Sequence, residues 1–213
     1  MQYIVQLPNA QGEPSAPNVF TYGKFVTSDP TTGKKLRRFR DAYQSASEPW
    51  SVFCERFTPP VHPSSRGNSW RDCFLGGPEK KTRFLVGLVF DVFIPEHDRV
   101  ERLRASTLAV PFLAHTWEQK ELRVLVPFKE PVHYRVSKRE QRRRVGTWVA
   151  RAFQREHAVD MCLRSCIYNF VPTVYDFVSR EYKPAVVIWR DGPLPTWDEL
   201  LALATTKTKR GGA

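Results

Sequence analysis

No apolar run in the 213-residue sequence approaches the roughly 20 residues that a membrane-spanning helix requires. The first seven residues also lack the basic start and the apolar stretch of a signal peptide. We therefore expect a cytoplasmic protein that has no membrane partner.

Cysteine is scarce as well, with four residues at Cys54, Cys73, Cys162 and Cys166. Their wide spacing is not that of a secreted disulfide framework, so we predict reduced thiols. Cys162 and Cys166 follow His157, but no CxxC pair and no well-spaced fourth ligand accompany them. Zinc is therefore not an expected cofactor.

Acidic residues are outnumbered by basic ones. The chain has 22 Asp and Glu against 33 Lys and Arg, which gives a net charge of +11. Such an excess favours polyanionic partners, with nucleic acid as the first expectation and an anionic membrane surface as the second.

The pattern along the chain divides it into three parts. Residues 1–80 contain many Pro and Gly and predict an irregular N-terminal module packed on the core. Residues 81–205 predict the core, including a C-terminal strand and a helix opened by a Thr196 to Glu199 capping box. Residues 206–213 are basic and rich in Gly, and they predict a flexible tail.

From residue 81 onward, apolar runs of strand length alternate with amphipathic runs of helix length. The predicted elements are a strand at 83–91, a helix at about 95–107, strands at 108–114 and 122–128, a helix from 137 to about 157 opened by a Ser137 to Glu140 capping box, and a strand at 167–171. This order is that of a split βαβ unit, as in ferredoxin-like and RNA-recognition-motif-like domains. We therefore predict an α+β fold whose split βαβ core sheet has N-terminal and C-terminal additions.

Right-handed crossovers then determine the order of the strands. Strands one and two run parallel with strand three between them, and strand four lies antiparallel beside strand one. This arrangement predicts four polar side chains on one edge of the sheet: Asp91, His115, Arg123 and Asp160.

Two carboxylates, an arginine and a histidine at one edge are typical of a catalytic site for phosphoryl chemistry. Asp91 and Asp160 are predicted to hold Mg²⁺ or Mn²⁺, while Arg123 and His115 contact the phosphates of a nucleotide. Each residue also has a structural alternative. Asp91 would cap the following helix, Arg123 would pair with a nearby glutamate, and His115 would be an ordinary histidine.

Two basic clusters are candidates for binding nucleic acid through its phosphates. The first is Lys34, Lys35, Arg37 and Arg38 in the N-terminal module. The second lies on the long predicted helix, largely off its apolar stripe, and consists of Arg139, Arg142, Arg143 and Arg144. We expect the second cluster to bind single-stranded or primed DNA.

The core also resembles a known family. The segment LRVLVPFKEPV at 122–132 is similar to a conserved stretch of the archaeo-eukaryotic-type primase-polymerase domains carried by plasmid and phage replication proteins. GLVFDVF at 87–93, LAHTW at 113–117 and Val159-Asp160 resemble three motifs of that family, and IYNFVP and RDGPLPTWDELL resemble its downstream segments. The resemblance implies DNA replication, metal-dependent primer synthesis from nucleotides, and a replicative helicase or initiator as a partner.

Phe93 stands where that family has a second metal-binding acid. Two-metal catalysis needs ligands for both ions, and a phenyl ring is not a metal ligand. Either Glu96 or Asp98 substitutes for this acid, or the domain has kept the fold and lost the polymerase activity, and two hypotheses follow. The chain is either a primase-polymerase-like nucleotidyltransferase, or a catalytically degenerate nucleic-acid-binding relative that acts in replication initiation or regulation. An RNA-recognition module is a weaker third hypothesis, because the third strand lacks closely spaced aromatic residues.

Overall fold

The computed structural model describes most of the predicted core and parts of the N-terminal segment. The described residues are 4–7, 19–25, 43–55, 70–74, 84–94, 99–117, 121–133, 136–160, 167–170, 173–176 and 180–206. The helices are α1 (Trp50–Glu55), α2 (Arg99–Arg104), α3 (Arg139–Ala152) and α4 (Trp197–Thr206). The strands are β1 (Ile4–Leu7), β2 (Val19–Phe25), β3 (Tyr43–Pro49), β4 (Trp70–Phe74), β5 (Phe84–Phe93), β6 (Phe112–Trp117), β7 (Glu121–His133), β8 (Ala158–Asp160), β9 (Ile167–Phe170), β10 (Thr173–Asp176), β11 (Glu181–Pro184) and β12 (Val187–Arg190).

The main sheet has six strands in the order β1-β12-β6-β7-β5-β8. Within it, β6 and β5 both pair antiparallel with β7, which lies between them, and β8 pairs antiparallel with the outer side of β5. This is the strand order that the split βαβ pattern predicts, so the α+β prediction is confirmed. The strand β1 from the N-terminal segment extends the sheet by pairing parallel with β12.

The fourth strand of the unit is not the segment that the sequence predicted. β9, at Ile167–Phe170, pairs with β4 in a second sheet of order β3-β2-β4-β9, and β8 takes the place beside β5. The reason is that α3 ends at Ala152, before the predicted end near 157. Gln154 then adopts a left-handed conformation that turns the chain back, so the first extended residues after the helix meet the edge of β5.

The predicted capping boxes have different outcomes. At α4 the Thr196 hydroxyl accepts the Glu199 N–H at 3.3 Å and the Glu199 carboxylate accepts the Thr196 N–H at 2.8 Å, as predicted. At α3 the predicted Ser137 to Glu140 box is wrong. The side-chain oxygen of Gln141 accepts the Lys138 N–H at 3.1 Å instead. Ser137, which precedes the helix, instead accepts hydrogen bonds from Arg142 of α3.

The two faces of the main sheet are covered differently. One face packs against α3 and α4 through an apolar cluster that includes Phe90, Val124 and Val149. The other face packs against Phe20 and against α1, including Trp50 and Phe53. Along β5, alternate residues point to opposite faces, so Phe90 faces the helices and Val89 faces α1.

Close contact between α3 and β5 depends on Gly146. A Cβ atom at this position would lie 2.9 Å from Cε1 of the buried Phe90 ring. The glycine therefore allows the helix to approach the sheet more closely than any side chain would permit.

None of the helices in the described part of the chain is long and apolar enough to cross a membrane. The cytoplasmic location stays a prediction.

Candidate nucleic-acid interface

Three of the four predicted site residues lie side by side in the main sheet. Arg123 of β7 is directly opposite Asp91 of β5 on one side and His115 of β6 on the other. Directly opposed residues in antiparallel strands point to the same face. The three side chains therefore form one polar row on the face that packs against α1.

Asp91 and Arg123 form a buried ion pair in this row. Nε of Arg123 donates to Oδ1 of Asp91 and Nη2 donates to Oδ2, both at 2.8 Å. Their side chains are 6% and 8% exposed. This two-pronged geometry matches the guanidinium to the carboxylate and satisfies both charges within the sheet. Each group is thus the partner of the other, where the sequence predicted a metal ligand and a phosphate ligand.

Asp160 does not join this row. Its register partner on β5 is Phe90, which faces α3 and α4, and Asp91 is paired with Val159. Asp160 therefore lies on the opposite face of the sheet from Asp91. There its Oδ2 accepts a hydrogen bond from Nε of Arg142 on α3 at 2.8 Å.

The predicted metal site does not fit this geometry. Asp91 and Asp160 lie on opposite faces of the sheet and each carboxylate is paired with an arginine. Among the described residues, no group of three or more His, Cys, Asp or Glu side chains could hold a metal ion. Glu96 and Asp98, the suggested substitutes, lie outside the described residues. The described geometry therefore does not support a Mg²⁺ or Mn²⁺ ion held by Asp91 and Asp160 together, and the metal stays a prediction.

His115 is fully buried, and burial lowers its pKa to about 3. Loss of hydration is the main cause, since it disfavours the charged imidazolium. A hydrogen bond that Nδ1 donates to the Thr116 carbonyl opposes this effect, and the positive charge of Arg123 adds to it. The imidazole is thus neutral at physiological pH and out of reach of solvent. This burial does not support a contact between His115 and nucleotide phosphates, and that role stays a prediction.

The Arg142 guanidinium is also buried, with the residue 1% exposed. Besides Asp160, it donates to the carbonyl of Ser137, and to the Ser137 hydroxyl at 3.2 Å. This burial does not support a role for Arg142 in binding DNA, and that role stays a prediction. The sequence contained a signal for this burial, because Arg142 lies three and seven residues before Val145 and Val149 and so continues the apolar stripe of α3.

The other arginines of α3 point to solvent. Arg139, Arg143 and Arg144 are exposed, and so is Arg151, which the sequence analysis did not select. Arg151 lies eight residues after Arg143, so helical periodicity places it on the same face. A helical projection of the sequence would have identified it.

This face of α3 lines a groove of about 780 Å³ together with the chain that leads into β8. The polar lining residues are Thr107, Glu140, Arg143, Arg144, Thr147, Arg151, Glu156 and His157. Arg144 approaches Glu140 at 3.9 Å, and both side chains are exposed to solvent. Within the described part of the chain, Arg143 and Arg151 form no ion pair.

The remaining predicted cluster, at Lys34, Lys35, Arg37 and Arg38, lies outside the described residues.

The chain was compared with protein-family models, with curated proteins and with solved structures, and nothing matches. The resemblance to primase-polymerase domains stays a prediction from sequence motifs.

The burial of His115 predicts that acid destabilises the folded protein. The pKa of His115 is about 3 when folded and 6.5 in its ordinary state. Between these values the unfolded chain binds a proton that the folded chain does not, so the free energy of unfolding falls as the pH is lowered. One such proton contributes a slope of about 1.4 kcal/mol per pH unit.

His115→Asn places an amide nitrogen near the position of Nδ1 and removes the titration. We expect urea unfolding between pH 4 and 6.5 to show a slope for this variant that is shallower by about this amount. His157→Asn, at a histidine whose side chain is 91% exposed, is the control. An unchanged slope in the His115 variant would contradict the assignment.

The buried pair on the helix face gives a second prediction. Asp160→Leu or Arg142→Met alone leaves one buried charge without its partner and should lower the free energy of unfolding by about 3–5 kcal/mol. The double variant removes both charges and should recover most of this loss. Additive losses, measured by urea titration, would show that the pair is not coupled.

Proposed function

We propose that this protein binds nucleic acid, and that the groove beside α3 holds the phosphate backbone. The observation that carries the proposal is the position of Arg143, Arg144 and Arg151. All three are exposed, share one face of the helix and line a groove of about 780 Å³. Exposed guanidinium groups are well suited to phosphate oxygens, because their planar donors contact two oxygens at once.

The charge of the chain supports this function over other uses of the groove. Three arginines and two glutamates line the groove, within a chain whose net charge is +11. The net charge of the groove lining is therefore positive but small. The positive charge of the whole molecule adds to it and attracts polyanions. Both glutamates are highly exposed, at 76% and 91%, so water screens them where a ligand approaches.

We propose binding without catalysis as the primary role. The metal-dependent primer synthesis that the resemblance implies requires carboxylates able to hold divalent ions, and Asp91 and Asp160 are both paired with arginines. The hypothesis of a catalytically degenerate relative accommodates this arrangement. Its proposed setting in replication initiation or regulation, with single-stranded or primed DNA and with a helicase or initiator as partners, is supported by the sequence resemblance alone.

Charge removal in the groove tests the proposal. The test protein replaces the three groove arginines by glutamine: Arg143→Gln, Arg144→Gln and Arg151→Gln. The control removes three exposed positive charges elsewhere: Arg104→Gln, Lys129→Gln and Arg180→Gln. Both proteins have the same net charge, so a difference between them reports position and not total charge.

We expect the groove variant to bind a fluorescent single-stranded oligonucleotide roughly tenfold or more weakly than the wild type at moderate salt. The slope of log affinity against log salt should fall by about 2, because about 0.7 is lost for each phosphate contact on a single strand. Fluorescence anisotropy over a salt series gives both quantities. Equal losses in the groove variant and the control would contradict a specific role for the groove.

A further inference from the structure

Two apolar side chains are exposed near the edge of the main sheet. Phe93, the last residue of β5, is 54% exposed, and Val159 of the edge strand β8 is 47% exposed. Phe93 lies two residues after Asp91 and so faces the same side of the sheet, away from α3. The ring is presented to solvent just beyond the buried ion pair.

The groove and the exposed ring lie close to each other around this edge. The groove is lined by Ala158, whose register partner on β5 is Val92, the residue before Phe93. The Cα atoms of Phe93 and Ala158 are separated by the spacing between two strands and by the rise of one residue along the strand. Together these give a distance of about 6 Å between the two Cα atoms. Among the described residues, the short strand β8 lies between the groove on one face and the ring on the other.

We propose that Phe93 is a stacking platform for an unpaired base of a single strand whose phosphates lie in the α3 groove. This inference rests on the proposed function and adds the class of nucleic acid to it. A single strand can bend around the edge strand and place a base on the far face. A base pair cannot do so without opening, so the platform favours single-stranded over duplex nucleic acid.

The surroundings of Phe93 favour a base over a phosphate at this point. Its register partner on β7 is the half-buried Glu121, an acidic residue that offers no positive charge to a phosphate group. The ring itself offers an apolar face, and every base can stack on such a face regardless of sequence. The adjacent Val159 extends the apolar surface toward the groove. The arrangement thus separates a cationic groove for the backbone from an aromatic platform for a base.

The test compares Phe93→Ala and Phe93→Trp with the wild type on three ligands of equal length: a single-stranded oligonucleotide, the same strand with abasic sites throughout, and a duplex. Val52→Ala, at an exposed apolar residue of α1, is the control for loss of apolar surface. Because Phe93 is more than half exposed, we expect all variants to fold, and thermal melting followed by circular dichroism verifies this.

We expect Phe93→Ala to weaken single-strand binding by about 5- to 150-fold, the typical effect of losing one stacked base. Its affinities for the abasic strand and the duplex should match those of the wild type, and Phe93→Trp should retain single-strand affinity. The proposal is overturned if Phe93→Ala binds the single strand as the wild type does, or if it loses the same affinity for the abasic strand. In both cases the loss of binding in the groove arginine variant would still support the proposed function. If the wild type binds none of the three ligands, the proposed function itself fails.

Discussion

The ion pair between Arg142 and Asp160 determines how α3 sits on the main sheet. Arg142 lies near the start of the helix and Asp160 is the last residue of the edge strand β8, so the pair joins the helix to the edge of the sheet. A charge buried in a protein interior must be paired, because its hydration is lost. With Arg142 turned inward by this requirement, helical geometry turns Arg143, Arg144 and Arg151 outward. The buried pair and the apolar stripe of α3 therefore both leave the cationic face exposed.

A second constraint is the alternation of side chains along β5, which determines the face of the sheet to which each carboxylate belongs. Asp91 and Phe90 are adjacent in sequence but point to opposite faces. Because Asp160 is aligned with Phe90, the two aspartates are separated by the sheet itself. Each face then has its own arginine for its own carboxylate. Such a scaffold holds two buried ion pairs, and among the described residues the outer arginines of α3 and the ring of Phe93 are exposed.

Much of this arrangement follows from the sequence by simple rules. The strand order and the alignment of Asp91, Arg123 and His115 follow from the split βαβ pattern and right-handed crossovers. The position of Asp160 could not be derived in that way. It depends on where α3 ends, and the left-handed turn at Gln154 has no distinctive sequence signal. A shift of one residue in β8 would have moved Asp160 to the other face.

The protonation and exposure of the site residues were likewise beyond the sequence patterns. A histidine at a strand end looks the same whether it is solvated or buried, and the burial of His115 results from α1 and β2 covering that face. The burial of Arg142 and the exposure of Arg151 are different, because both follow from the helical period. Arg142 continues the apolar stripe of α3 toward its start, and Arg151 lies off that stripe.

The central proposal is that nucleic acid binds along the outer face of α3 without a metal ion. Photo-crosslinking tests this most directly, with a single strand that carries photoreactive thymine analogues, irradiated in EDTA and mapped by mass spectrometry of the peptides. The account predicts adducts on the peptides of α3 and of the chain that leads into β8, with the same pattern when Mn²⁺ is added. Adducts confined to β6 and β7, or adducts that form only with Mn²⁺, would contradict it.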